Sequence, residues 1–157
     1  MRRRYLSPAI TSRAAPGTRW VYRTVDTYVL GTALEAFVQR HLGKDRDFYT
    51  DVLVRQLWEP LGLSPALRFT RRTRDLVAQP FMGWGLLLHR DDIARIGRLL
   101  GERRPAIGGA PLFDAAALDR ALQRDPAHPG LEAIDASFRY AGGFWAHDVS
   151  RYIGCTT

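Results

Sequence analysis

The sequence predicts an α+β chain, mainly helical and ending in one strand. Apolar residues recur at helical spacing over 25–42, 48–59, 91–102 and 114–124. The aromatic-rich segment Phe138–His147 instead alternates, with Gly142-Gly143 placed as a bulge. Proline and glycine clusters separate these segments. With 157 residues, 46% of them hydrophobic and 25% charged, the composition fits one globular domain and excludes full-length disorder. A chain of this size buries roughly 70% of its unfolded surface, enough for a core.

The elements follow in order. Residues 1–21 carry Pro8, Pro16 and Gly17 without periodicity and read as an irregular approach segment. The region 22–124 reads as helical. Its first helix has Val29, Leu30, Ala33, Leu34, Phe37, Val38 and Leu42 as its apolar stripe, Asp26 at the positive end of its dipole, and Gly43 as its stop. The second is capped by Asp45 or Asp47, presents Val52, Leu53, Leu57 and Trp58, and is stopped by Pro60 and Gly62. Ser64 to Pro80 is a polar, arginine-rich connector. Phe81-Met82-Gly83-Trp84-Gly85 then interleaves bulky residues with glycines, the pattern of a backbone in close approach to packing or ligand. The third helix opens with Asp91-Asp92 and buries Ile93, Ile96, Gly97 and Leu100. The fourth is capped by Asp114, with Leu118, Ala121 and Leu122 inward. The strand 138–147 has no expected partner in this chain, an unstable arrangement for backbone donors and acceptors.

Charge and composition exclude several function classes. The formal net charge is +7, and of 23 cationic residues only Lys44 is lysine. The arginines run the length of the chain, with small clusters at Arg2-Arg3-Arg4 and Arg71-Arg72-Thr73-Arg74. A nucleic-acid binder would gather cations on one face with aromatics, so a nucleic-acid partner is not expected. No stretch approaches ~18 uncharged apolar residues, so no membrane span is expected. Cys155 is the single cysteine, and His41, His89, His128 and His147 lie at no ligand-like spacing; neither a disulfide, a metal site nor a cofactor is expected. After Arg4 no apolar core follows that would make a secretory signal, which points to a cytoplasmic chain as given.

Nucleophiles are scarce. No serine stands in a Gly-x-Ser-x-Gly elbow, and none stands three residues before a lysine, because position 41 is His41. The Ser-x-x-Lys arrangement, in which an amine one helical turn away activates the hydroxyl, is absent from this sequence. Asp91-Asp92 reads as a dipole-serving pair. No phosphate-binding glycine loop occurs.

The segment Trp20-Val21-Tyr22-Arg23-Thr24 resembles the middle motif, Tyr-x-Asn or Tyr-x-Ser, of the β-lactamase-related serine hydrolases. That family includes class C β-lactamases, DD-peptidases, esterases and nylon-oligomer hydrolases. As in the family, the motif follows a Pro-Gly turn (Pro16-Gly17) and precedes a helix with a Leu-Gly pair (Leu30-Gly31). Leu57-Trp58-Glu59-Pro60-Leu61-Gly62-Leu63 is similar to its Pro-Leu-Gly-Met stretch. Gly83-Trp84-Gly85-Leu86 with Asp92–Leu100 is similar to its Gly-Gly-Leu segment and the helix after it, and Tyr140–Trp145 to the strand before its third motif. The resemblance covers about residues 14–155.

It implies the helical part of a penicillin-recognising fold, with the strand joining a sheet built from elsewhere, so that 1–157 is one partial domain. It implies acyl-enzyme hydrolysis of a small-molecule amide or ester. Tyr22 would pass protons between nucleophile and leaving group, Thr24 would replace the usual Asn or Ser, and Trp84 would line the acyl-binding cleft. Family members are often periplasmic or secreted. The first and third family motifs are absent, so the expectation is a truncated enzyme, inactive alone. A non-catalytic helical remnant acting as a binding or assembly module is the alternative, and an arginine-rich nucleic-acid binder the lesser one.

Overall fold

The computed structural model describes residues 14–15, 17–83, 85–102 and 105–149. It is a mixed α+β structure whose contacts fall into two compact units, Arg23–Ala110 and the residues on either side of that segment. Among the described residues no helix is long and apolar enough to cross a membrane.

In the central unit, α1 spans Thr24–Leu42, free of proline and with Asp26 in its first turn. Gly43 ends it in a left-handed conformation, φ 121°, its N–H bonded to the Gln39 carbonyl. The buried face differs from the expected stripe. Leu30, Phe37 and Leu42 are more than half exposed; of the expected stripe Val38 is buried, joined by Gly31 and Glu35. A polar anchor decides the rotation: Glu35 accepts the Phe48 N–H at 2.8 Å and the Gln39 amide at 2.9 Å. A buried carboxylate satisfied in this way is far cheaper than one left bare.

The second helix is present but is a π-helix, Phe48–Trp58, with bonds such as Glu59 N–H to the Val54 carbonyl at 2.9 Å. Asp47 caps it, accepting the Thr50 N–H at 2.7 Å. The wider turn fits the burial of Tyr49, Val54 and Trp58, spaced five and then four apart. With Leu67 these form the core of the unit, over which Leu53, Leu57, Leu63 and Ile96 pack. The Tyr49 hydroxyl donates to the Leu67 carbonyl at 2.7 Å, so burial costs it no hydrogen bond. Burial pushes the Tyr49 phenol up from its ordinary value. Leu67 lies in a short 3₁₀ helix, Pro65–Arg68, and the connector beyond is pinned by an antiparallel bridge between Arg72 and Pro80.

Helix α2 runs Arg90–Gly101. It was expected to bury Ile93, Ile96, Gly97 and Leu100. Ile93 is 57% exposed, Gly97 has open space at its Cα, and the inward residues are Asp92, Ile96 and Leu99. Again a hydrogen-bonded carboxylate, here Asp92, sets the rotation. A two-stranded ribbon follows, β1 (Ala106–Ile107) and β2 (Ala110–Pro111), turning through Gly108 and Gly109 at φ 58° and 82°.

In the other unit, α3 spans Ala115–Ala121, with Asp114 accepting the Ala117 N–H at 2.7 Å. The expected lone strand is corrected here. Phe138–His147 is a hairpin, β4 (Phe138–Ala141) and β5 (Phe144–His147), and β3 (Leu131–Glu132) pairs with β4 in the order β3-β4-β5. Gly142 and Gly143 are not a bulge. Both have positive φ, 55° and 91°, and make the two-residue turn whose twist matches the flanking strands. The sheet partner is thus internal to this chain.

Register explains the aromatic content. Phe138 faces His147 and Tyr140 faces Trp145. The Asp148 N–H to Ser137 carbonyl bond fixes 137 and 148 as a hydrogen-bonded pair, so both aromatic pairs fall at the closer, non-hydrogen-bonded positions. Their rings meet accordingly: Phe138 and His147 stack at 4.0 Å, and Tyr140 meets Trp145 edge-on at 5.3 Å.

Candidate functional site

The middle-motif residues take different settings. Thr24 is the first residue of α1, and Tyr22, in the other unit, is 71% exposed. Trp84 lies outside the described residues, but its neighbour Gly83 does not. A Cβ built on Gly83 would lie 3.0 Å from Thr24 Cγ2 and 3.3 Å from the Phe81 ring. One turn further along α1, Tyr28 meets Phe81 with ring centroids 5.5 Å apart. At Gly31 a Cβ would overlap Met82 Cγ. The glycines at 31 and 83 therefore permit the Phe81-Met82-Gly83 backbone to lie along Thr24, Tyr28 and Gly31. What the glycines admit at these two positions is packing of one segment on one helix face.

Among the described serines, Ser64 has the most organised surroundings. Its hydroxyl donates to Asp92 Oδ2 at 2.6 Å and its N–H to Oδ1 at 2.8 Å, while the His89 N–H also reaches Oδ2 at 3.0 Å. Serine, aspartate and histidine are together here, but not as a nucleophile with its base. The imidazole does not bridge the two, and the carboxylate takes the hydroxyl proton directly. That bond, with those from the Ser64 and His89 amides, holds Asp92 below the usual carboxylate range, which makes it a poor base. Ser137 is similar: its hydroxyl and N–H both donate to Asp135 Oδ1, at 2.6 and 2.7 Å, in a local turn. His128 Nδ1 lies 2.6 Å from Asp125 Oδ2, and hydrogen bonding to His128 lowers the Asp125 pKa.

The arginine cluster is partly structural. Arg72 binds both oxygens of Asp47, at 2.6 and 3.0 Å, and also the Ala78 carbonyl at 3.0 Å. Among the described residues no three His, Cys, Asp or Glu side chains are grouped to hold a metal ion.

Sequence reasoning missed one feature. Thr18, Arg19, Trp20, Leu131, Glu132 and Ala133 line an open cleft of about 370 Å³. Trp20 stood beside the motif tyrosine, but nothing in the local pattern joins it to Leu131-Glu132, because that link arises only from the sheet. No family model, no curated protein and no solved structure matches this chain.

Proposed function

We propose that this chain supplies the middle-motif region of a β-lactamase-related serine hydrolase, one that cleaves amide or ester bonds through an acyl-enzyme. The observation that supports this best is the packing of Gly83 on Thr24. Thr24 and Gly83, one from each of two segments similar to the family's, meet on the first turn of α1. In this reading a serine hydroxyl attacks the substrate carbonyl, its proton passes through the Tyr22 phenol to the leaving group, and water releases the acyl group. Exposure leaves the Tyr22 hydroxyl open to such partners. Thr24 offers a hydroxyl where the family has Asn or Ser, and the resemblance gives Trp84 the acyl side.

The sequence holds no Ser-x-x-Lys, so this chain alone should not hydrolyse nitrocefin or p-nitrophenyl esters. Co-expression with a segment carrying Ser-x-x-Lys and one carrying a glycine-rich third motif should restore turnover. Tyr22→Phe should then cut kcat by about 10²–10⁴, the worth of a positioned acid/base. A penicillin or fluorophosphonate adduct on the isolated chain, or a reconstituted enzyme indifferent to Tyr22→Phe, would sink the reading.

A further inference from the structure

We propose that the cleft between Thr18–Trp20 and strand β3 binds a short peptide in extended conformation. The site lies in the unit that holds the hairpin and stands apart from the hydrolase reading, since it calls on none of Tyr22, Thr24 or Trp84.

The backbone of β3 comes first. Ala133 donates to the Phe138 carbonyl at 3.0 Å, which makes 133 and 138 a hydrogen-bonded pair. The register pairs Glu132 with Arg139, one step along. Hydrogen-bonded and non-hydrogen-bonded pairs alternate in an antiparallel ladder, so the N–H and C=O of Glu132 point away from β4. They point to the outer edge of the sheet, where no further strand lies among the described residues, and Glu132 and its neighbours Leu131 and Ala133 line the cleft there. An edge strand with a donor and an acceptor directed into a cleft is the geometry that takes up an added strand.

The side chains then narrow the ligand. Arg19 and Glu132 bring one cation and one anion to the same cleft, both exposed, and among the described residues neither is held in an ion pair or a hydrogen bond. An extended peptide with free ends, or with one acidic and one basic group, matches both: carboxylate to Arg19, ammonium to Glu132. Trp20 is half-buried and set edge-on against Trp145, with ring centroids 5.2 Å apart at 71°. That contact fixes its ring as a wall for one apolar side chain. A volume of about 370 Å³ is at the small end of ligand sites and suits about three residues, roughly 10 Å of strand.

The test is titration of the full chain with the tripeptide Ala-Leu-Ala, followed by tryptophan fluorescence and calorimetry. Saturable binding is expected. N-methylation at the central amide, and blocking of both ends by acetyl and amide groups, should each weaken it about tenfold or more. Arg19→Ala and Glu132→Ala should each weaken it about tenfold with unchanged circular dichroism, because both side chains are exposed. Arg120→Ala, on an exposed residue of α3 that does not line the cleft, should leave affinity unchanged. Absence of saturable binding, indifference to either Arg19→Ala or Glu132→Ala, or binding of maltotriose in place of the peptide would overturn the proposal.

Discussion

Asp92 ties the start of α2 to Ser64, its Oδ2 accepting the Ser64 hydroxyl at 2.6 Å and its Oδ1 the Ser64 N–H at 2.8 Å. The same carboxylate accepts the His89 N–H, so it caps its own helix while closing the loop after the π-helix. Its side chain is inaccessible, at 3% exposure. The Ser64 hydroxyl leads in keeping it ionised, with the Ser64 and His89 amides and the His89 charge adding to it.

That arrangement has a pH signature. The Ser64 hydroxyl bond is the chief cause of a folded-state pKa below the ordinary value. A depressed carboxylate contributes stability above its unfolded pKa of about 3.9 and loses it as pH falls through the folded value. Asp92→Asn should therefore lower the melting temperature at pH 7, while the two melting curves converge below about pH 3. Calorimetric scans across that range provide the check, and a constant gap between the two proteins would be inconsistent with it.

Asp47 makes a second polar anchor of a different kind. Burial acts to raise its pKa, but hydrogen bonds from Arg72 and Thr50 outweigh burial and hold it low. Its contribution should also fade in acid. Asp47→Ala removes the cap and should cost about 1–2 kcal/mol in urea unfolding at pH 7. A double-mutant cycle with Arg72→Ala should show coupling of only about 0.2–1 kcal/mol, because the pair is partly exposed, at 22% and 35%.

The β4–β5 turn should separate two effects of the same substitution. Gly142 and Gly143 both need positive φ, but only at Gly142 would a Cβ meet Ala121, at 2.9 Å. Gly143→Ala should cost roughly 1–2 kcal/mol, the penalty for an L-residue in that region. Gly142→Ala should cost more, and Gly143→Asn less. Equal losses at the two glycines would mean that the turn does not pack against α3.

Gly31 provides a packing test. In Gly31→Ala the new methyl overlaps Met82 and should cost about 1–3 kcal/mol, offset by up to about 1 kcal/mol of helix propensity. With Met82→Ala in the background the Cγ overlap is gone and only the residue-82 Cβ, 3.0 Å away, remains close, so most of the cost should be relieved and the propensity gain should show. Additive effects in thermal melts of the four proteins would argue against the close approach of Met82 to α1.

The sequence by itself determined where the helices begin and, apart from α3, which stops at Ala121 and not at 124, where they end, since those are local matters. Asp47 and Asp114 cap from side chains three residues before the amide they serve, and Gly43 and Gly62 stop helices by conformation alone. Tertiary structure decided which faces turned inward. Apolar spacing placed Leu30, Phe37 and Ile93 inside, yet α1 and α2 are rotated so that Glu35 and Asp92 reach amides on other elements. A buried carboxylate cannot be left without donors, and no periodicity in the sequence shows where those donors will be. The end of the chain followed the same division. Alternation marked 138–147 as β, but the reversal at Gly142-Gly143 and the pairing with Leu131-Glu132 required a ladder whose partners lie across a turn and a loop. The cleft at Arg19, Trp20 and Glu132 exists only because of that ladder, which directs one backbone amide and one carbonyl of β3 outward while its neighbours bond inward.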